Sequence, residues 1–342
     1  MQNRIIQKQK LLNEKGYLNQ SGYSTEILLE YSRKDIKGLK SRIKEWDYYL
    51  VTNEDFGVAL TIADNSYMGF VSVAFFNFKE KWCTTKSKIK PFTRGGLNLP
   101  SSTLKGDVKF SDKTMSIEFV KKNNQRHLKC SFNKFLNKDN LSCDIILKDE
   151  PIDSIVLATP FKKNKKAFYY NQKINCLRAE GELTLGDSQY IFDSSKSFGV
   201  LDWGRGVWTY KNTWYWGSAS GIVDGKIFGF NIGYGFGDTS KATENMIFYD
   251  GVGHKLEHVD FIIPRSKKED YMKTWSFTSS DGRFEMTFDP IIDRYDNINM
   301  LILSSCQHQV FGKFTGTVIL DDGTKLLIND LFGFAEKVSN KW

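Results

Sequence analysis

The residues best suited to chemistry lie within residues 198–237 of the chain. Asp202 and Arg205 stand in the string LDWGRGVW, next to Trp203 and Trp208. An apolar environment raises the pKa of a carboxyl group and so makes it a candidate general acid at neutral pH. Indole faces, in turn, stabilise positive charge. These residue types indicate proton transfer to a hydrophobic molecule, such as the hydration, cyclisation or isomerisation of an alkene-bearing lipid.

The same segment contains a strand with an unusual distribution of side chains. In residues 227–236 bulky side chains alternate with Gly229, Asn231, Gly233 and Gly235. Because side chains on a strand point to alternating faces, one face is almost bare and only Asn231 projects from it. Another group must approach this face closely. In the structural alternative, a tryptophan from another strand fills the space or the glycines mark a sharp corner of a barrel. In the functional one, a ligand lies on the glycines with Asn231 as its hydrogen-bond partner.

The candidate site combines these residues with polar neighbours further along the chain. Asp202 and Glu244 are the candidate catalytic acids, whereas Arg205 and Asn231 would orient polar groups of the ligand. The other candidates for ligand binding are Trp203, Trp208, Trp214, Trp216, Tyr234, Asp238 and Asn245. The alternative is structural, because an Asp202–Arg205 ion pair and capping hydrogen bonds would also fix turns in a dense aromatic core.

Two further motifs are weaker indications of chemistry. Residues 254–258, HKLEH, fit the inverted zinc-protease string HxxEH, but the flanking residues predict a turn and a strand where that motif needs a helix. On a strand His254, His258 and Asp260 would share a face, so metal-dependent hydrolysis stays as an alternative. Residues 233–237, GYGFG, lack the GxGxxG spacing of a dinucleotide site. The leading interpretation includes no metal and no cofactor.

The composition predicts a folded, aromatic-rich protein without a nucleic-acid partner. Of the 342 residues, 14% are aromatic and 40% hydrophobic. A net charge of +8 could indicate binding to nucleic acid. The lysines are scattered, however, and the short clusters at residues 162–166 and 265–268 each lie beside a predicted turn. No recognition helix, RNP-like strand or zinc-finger spacing accompanies these clusters, so we interpret them as solvated loops.

Cysteine usage and hydropathy predict a soluble cytoplasmic protein. The five cysteines are odd in number, far apart and without a CxxC pair, which suits a reducing compartment. The first residues are polar, and the chain has no apolar run long enough for a membrane span. We therefore expect no integral membrane segment, although peripheral contact with a membrane stays open. The sequence does not determine the oligomeric state.

Alternating polar and apolar residues predict an all-β fold. Residues 1–16 could form one short helix, and an alternation of residue types with a period of two begins near Glu45. Short strands then follow, separated by polar turns such as Asp224-Gly225, in which glycine supplies positive φ. Two such series suggest two lipocalin-like antiparallel β-barrels, or strongly coiled sheets, packed side by side. The expected divisions are a helix and lead-in over residues 1–40, a first barrel over 41–160 and a second barrel over 161–342.

Long strings spread along the chain resemble one family. They are KEWDYY (44–49), FYYNQKINC (168–176), LDWGRGVW (201–208), GFNIGYGFGDTSKATENMIFYDG (229–251), SSDGRFEMTFDP (279–290), QHQVFGKFTG (307–316) and GFAEKVSNKW (333–342). These strings resemble the bacterial and fungal family called domain of unknown function 2804, and the resemblance extends over nearly the whole chain. That family label implies no established activity and no catalytic residues.

The organisation is also similar, more distantly, to the paired-calycin group. That group includes carotenoid hydratase (hydroxyneurosporene synthase), tocopherol cyclase and the fungal lipocalin-like Diels-Alderases. Its members resemble two lipocalin-type barrels packed together, and the resemblance implies an apolar ligand. The leading hypothesis is a cofactor-free protein that binds a hydrophobic, isoprenoid or lipid-like molecule and converts it. A non-catalytic lipid carrier or a structural module is the alternative.

Overall fold

The computed structural model describes residues 2–300 and 303–341. The first elements are β1 (Gln9–Lys10), β2 (Gly22–Ser24), β3 (Leu29–Glu30) and the 3-10 turns Arg33–Asp35 and Lys40–Arg42. The predicted N-terminal helix is therefore wrong. A short isolated helix is marginal, and here the backbone groups bond to distant segments instead, as the amide of Ile5 does to the carbonyl of Tyr23. Within the described ranges, no helix is long and apolar enough to cross a membrane.

The larger sheet is built from the first part of the chain. Its further strands are β4 (Ile43–Thr52), β5 (Phe56–Asp64), β6 (Met68–Asn77), β7 (Trp82–Pro91), β8 (Val108–Ser111), β9 (Met115–Lys122), β10 (Gln125–Leu136), β11 (Asp139–Lys148), β12 (Ile155–Phe161), β13 (Asn164–Leu185), β14 (Ser188–Phe192) and β15 (Phe198–Val207). The sheet order is β7-β6-β5-β4-β15-β13-β11-β10-β9-β8, with β12 and β14 paired to β13 and β2 paired to β12.

The second sheet is built from the rest of the chain. Its strands are β16 (Lys211–Val223), β17 (Lys226–Tyr234), β18 (Met246–Tyr249), β19 (Val252–Lys255), β20 (Val259–Ile262), β21 (Trp275–Ser279), β22 (Phe284–Met300), β23 (Leu303–Ile319) and β24 (Lys325–Lys341). They are ordered β19-β18-β17-β16-β24-β23-β22-β21-β20. The two antiparallel sheets curl into half-barrels that pack together, which confirms the expected all-β architecture.

The strands divide their side chains between a barrel core and the interface between the sheets. Phe75 packs in the core of the first sheet, whereas its neighbour Phe76 packs in the interface. In that interface the ring centroids of Phe76 and Phe311 are 4.6 Å apart, and those of Phe78 and Phe332 are 4.7 Å apart. Because alternate residues face opposite sides, each half-barrel has its own core and a shared contact layer.

The chain passes from one sheet to the other between β15 and β16. The long strand β13 also connects the sheets, because the side-chain amide of Asn175 donates to Ser218 Oγ at 2.7 Å and to the carbonyl of Phe230 at 2.9 Å. Sheet membership does not show which segments fold independently. The division into units 41–160 and 161–342 therefore stays a prediction.

Candidate active site

A cavity of about 310 Å³ lies between the two sheets. Its volume is at the lower end of the range for small-molecule sites, which is roughly 300–1,000 Å³. The aromatic part of its wall consists of Trp46, Tyr48, Phe70, Tyr169, Trp208, Trp214, Trp216 and Phe236. The charged part consists of Lys173, Asp202, Glu244, Arg294, Asp296 and Glu336. Both sheets contribute, so the cavity exists only in the assembled fold.

Aromatic rings pack edge to face along one side of the cavity. The ring centroids of Trp46 and Trp208 are 5.3 Å apart, and those of Trp208 and Phe236 are 4.6 Å apart. Tyr169 adds a contact with Phe236 at 4.8 Å. The indole of Trp46 lies against Gly204, where a Cβ atom would come within 1.9 Å of Cζ2 of that indole. The glycine in LDWGRGVW therefore makes room for a ring of the cavity wall.

Lys173 lies at the centre of the charged group. Its Nζ is 3.1 Å from Oδ2 of Asp202 and 3.9 Å from Oε2 of Glu244. The same ammonium lies 3.8 Å from the ring centroid of Trp216, and Asp202 also accepts a hydrogen bond of 2.6 Å from Nδ2 of Asn171. One buried cation is thus shared by two carboxylates and an indole face.

Glu336, like Glu244, is a buried carboxyl group on the wall. Its Oε1 accepts a hydrogen bond of 2.9 Å from Nε1 of Trp214. Burial raises the pKa of Glu336 to about 7, the Trp214 hydrogen bond and Lys173 oppose this shift, and Asp202 adds to it. Burial also raises the pKa of Glu244. A carboxyl with a pKa near neutral pH can hold a proton and release it under physiological conditions.

Lys173 and Glu336 were not expected at the site from the sequence. A signal was present for Glu336, because it alternates with Phe332, Phe334 and Val338 and is the only acid in this apolar run. Lys173 has no comparable signal, since lysines are common throughout this chain. Its role becomes visible only through the pairing of β13 with β15, which places Lys173 opposite Asp202.

Five of the predicted residues lie on the cavity wall. They are Asp202, Trp208, Trp214, Trp216 and Glu244. Asp202 comes from β15 of the first sheet and Trp216 from β16 of the second, while Glu244 lies in the loop before β18. The described wall does not include Trp203, Arg205, Asn231, Tyr234, Asp238 or Asn245. These six residues have other partners.

Arg205 is fully buried on the opposite face of β15 from Asp202. Its Nη2 lies 2.9 Å from Oδ1 of Asp47, and its Nη1 donates to the carbonyl of Trp46 at 2.7 Å. Its guanidinium carbon lies 4.4 Å from the ring centroid of Trp203, which belongs to the core of the first sheet. The Asp202–Arg205 ion pair considered as an alternative does not form, because the two positions face opposite sides of one strand.

Asn231 lies directly behind the cavity wall. Its Oδ1 accepts a hydrogen bond of 2.7 Å from Nε1 of Trp216, and its Nδ2 donates to the carbonyl of Glu244 at 2.8 Å. Other side chains of the protein cover the bare face of its strand. A Cβ on Gly233 would lie 2.7 Å from Oε1 of Glu244, and a Cβ on Gly229 would lie 2.5 Å from Sγ of Cys176. The glycines therefore make room for side chains of the protein.

The remaining predicted residues take part in contacts outside the cavity. Tyr234 stacks on Tyr215 with ring centroids 4.5 Å apart. Asp238 lies 3.7 Å from Nζ of Lys162. Oδ1 of Asn245 accepts a hydrogen bond of 2.6 Å from the amide of Gly233. These contacts fix the end of β17 and the loop that follows it, so we leave the three residues out of the proposed site.

The two histidines of the HKLEH string have separate partners. Nδ1 of His254 accepts a hydrogen bond of 3.2 Å from the amide of Asp321, whereas Nε2 of His258 lies 3.0 Å from Oδ1 of Asp260. In the part of the chain that the structure describes, no group of three or more His, Cys, Asp and Glu side chains could hold a metal ion. The geometry therefore does not favour metal-dependent hydrolysis.

Two curled antiparallel half-barrels with a cavity between them define a double half-barrel β-protein. The family model described as Domain of unknown function (DUF2804) matches residues 2–342, so the chain belongs to that family, as the strings in its sequence predicted. A search of curated proteins found no significant match.

Two solved structures share the fold. A protein of Nitrosomonas europaea, provisionally named AttH, is 13% identical with a TM-score of 0.54, and the match covers 90% of this chain and 96% of that one. Kievitone hydratase of Nectria haematococca is 10% identical with a TM-score of 0.50, and the match covers 98% of each chain. At such low identity the similarity concerns the fold alone.

Proposed function

We propose that the protein binds a hydrophobic small molecule between its two sheets and converts it by proton transfer. The observation that carries this proposal is Glu336, a carboxyl group buried in an aromatic wall with its pKa raised to about 7. Burying a carboxyl group is unfavourable, and a simple carrier of apolar molecules does not need one. A general acid that works at neutral pH needs such a pKa.

Protonated Glu336 is suited to donate its proton to a carbon–carbon double bond of the ligand. The positive charge that then forms on the ligand is surrounded by indole and phenol rings and by the carboxylates of Asp202 and Glu244. If water adds to this carbon and passes its proton to Asp202, the reaction is a hydration. If the ligand itself loses a proton to Asp202, the product is an isomerised or cyclised alkene.

The ligand class follows from the chemistry of the wall. Apolar rings dominate it, and the buried charged groups already have partners within the protein, as Lys173 does with Asp202 and Glu336 with Trp214. We therefore propose an isoprenoid or lipid-like ligand with a double bond. Kievitone hydratase, which shares the fold, is by its name a hydratase, and this name supports hydration as the first reaction to test.

The proposal can be tested by deuterium incorporation. The protein is incubated in deuterated water with a panel of isoprenoid alcohols, and the products are analysed by mass spectrometry. We expect new carbon–deuterium bonds, and we expect Glu336→Gln to reduce their rate at least about 100-fold because it removes the proton donor. Glutamine keeps an oxygen that can accept the Trp214 hydrogen bond, so ligand affinity should change little.

Three further outcomes separate this function from its alternatives. Asp202→Asn should also abolish turnover with little loss of affinity, because the variant lacks the proton acceptor. Tight binding of these ligands by the wild-type protein without any deuterium incorporation would instead assign it as a carrier. Absence of binding by native mass spectrometry, including of lipids that co-purify from the host, would contradict the proposal altogether.

A further inference from the structure

The cavity opens between the edge strand β7 and the second half of β22. Its exposed wall residues are Thr85, Ser87 and Ile89 on β7 and Asp296 and Ile298 on β22. The buried wall residues, such as Lys173 on β13 and Glu336 on β24, lie deeper in the cavity. A ligand must therefore enter past Ile89 and Ile298.

The register of the strands places one set of chain segments around this opening. Ile43 pairs with Val207, and Met68 pairs with Pro91. In the second sheet Lys211 pairs with Lys341. Because all these strands are antiparallel, their paired ends lie at one end of the molecule. We call this end the opening rim, and it comprises residues 38–42, 64–68, 89–95, 161–167, 207–211, 296–299 and 341.

The opening rim is strongly basic. Its exposed cations include Lys40, Lys90, Arg94, Lys162, Lys163 and Lys165, against the single exposed acid Asp296 among the described residues of the rim. Segments distant in sequence meet here, since a Cβ on Gly38 would lie 3.6 Å from the Cβ of Lys166. The opposite end of the sheets is mixed in charge, because exposed acids such as Glu54, Asp224 and Asp322 lie beside its lysines. The lysines at 162–166, which look like a solvated loop in the sequence, thus join a larger basic surface.

Large apolar side chains are exposed on the same surface. Leu39 is 67% exposed, Ile89 66%, Phe92 69% and Ile298 47%. Cations bind lipid phosphates, and apolar side chains between them insert below the headgroups. The phosphates of a nucleic acid would bind the cations, but they would make no favourable contact with exposed Leu39 and Ile89. Charge and hydrophobicity therefore complement the surface of an anionic lipid bilayer.

We propose that the opening rim docks on an anionic lipid bilayer, so that the cavity opens towards the membrane. Leu39 and Phe92 enter the headgroup region, and the lysines on either side contact phosphates. An apolar ligand then passes from the bilayer into the cavity past Ile89 without crossing water. The docking surface is a property of the rim and can be tested without knowing the ligand or the reaction.

Vesicle co-sedimentation tests this surface directly. We expect the full-length protein to bind vesicles of equimolar phosphatidylcholine and phosphatidylglycerol, to bind pure phosphatidylcholine far less, and to be released by salt. Lys162→Gln with Lys163→Gln and Lys165→Gln should weaken binding to the anionic vesicles at least about tenfold. Leu39→Ser with Phe92→Asn should weaken it by a similar factor that salt does not change.

A matched control replaces three lysines at the opposite end of the sheets. Lys79→Gln with Lys81→Gln and Lys325→Gln removes the same charge from exposed positions and should leave vesicle binding within about twofold of the wild type. Equal losses in the two triple variants would overturn the proposal, because binding would then follow net charge alone. Binding to a uridine oligonucleotide without binding to vesicles would overturn it in favour of a nucleic-acid surface.

Discussion

The indole of Trp214 donates a hydrogen bond of 2.9 Å to Oε1 of Glu336, and both side chains face the cavity between the sheets. The two residues are 122 positions apart, on β16 and β24, which pair in the second sheet. A hydrogen bond to a carboxylate favours its ionised form. Trp214 therefore limits how far burial raises the pKa of Glu336.

Trp214→Phe tests this relationship through the pH profile of turnover. Activity requires protonated Glu336 and should fall as the pH rises through its pKa. Without the indole donor that pKa should rise by about one unit, so the fall should move to higher pH by the same amount. Trp208→Phe is the matched control, because Trp208 lines the same cavity and makes no hydrogen bond to Glu336. If both variants shift the profile equally, the hydrogen bond is not the cause.

Glu336→Gln should change how stability depends on pH. The pKa of Glu336 is about 7 in the folded protein, against an ordinary value of 4.5, so the folded state binds the proton more tightly. Its contribution is complete below pH 4.5 and is lost as the pH rises towards 7. The wild type should therefore lose up to about 3 kcal/mol relative to Glu336→Gln across this window. Urea denaturation at pH 5 and pH 8 measures this difference, and parallel changes in both proteins would contradict it.

Lys173→Met should destabilise the protein by about 3–5 kcal/mol, because it leaves the buried Glu244 and the mostly buried Asp202 without their cation. Asp202→Asn added to this variant should recover part of the loss, since only Glu244 then remains to be neutralised. Urea denaturation at pH 8 compares the single and double variants. If the double variant is less stable than Lys173→Met alone, the destabilisation does not arise from unpaired carboxylates.

The cavity should discriminate against anionic ligands. Its wall carries the cations Lys173 and Arg294 against four carboxyl groups, those of Asp202, Glu244, Asp296 and Glu336. We expect farnesoic acid to bind at least about tenfold more weakly than farnesol at pH 8, because like charges repel and the carboxylate must leave water. Displacement of a fluorescent apolar dye measures both affinities. The difference between the two affinities should decrease at pH 4.5, where farnesoic acid is largely protonated. Equal affinities at pH 8 would contradict the prediction.

Local features of the chain predicted most of the β-architecture. The Asp224-Gly225 pair connects β16 to β17, with φ values of 50° and 77° at the two residues. The alternation around Asn231 correctly indicated a bare strand face. The pattern of residues 1–16 was misleading, because their hydrogen bonds go to distant segments. Periodicity shows which side chains share a face of a segment. It does not show which other segment pairs with it or packs against that face.

By itself, the sequence determined that this is an all-β protein of its family, with tryptophan, tyrosine and glycine concentrated in residues 198–237. Only the tertiary structure decided that Asp202 pairs with Lys173 and not with Arg205, and that Glu336 faces the same cavity. The physical reason is that strand order brings together residues far apart in the chain. Burial and pairing then set the charge state of each group, and neither can be obtained from local spacing.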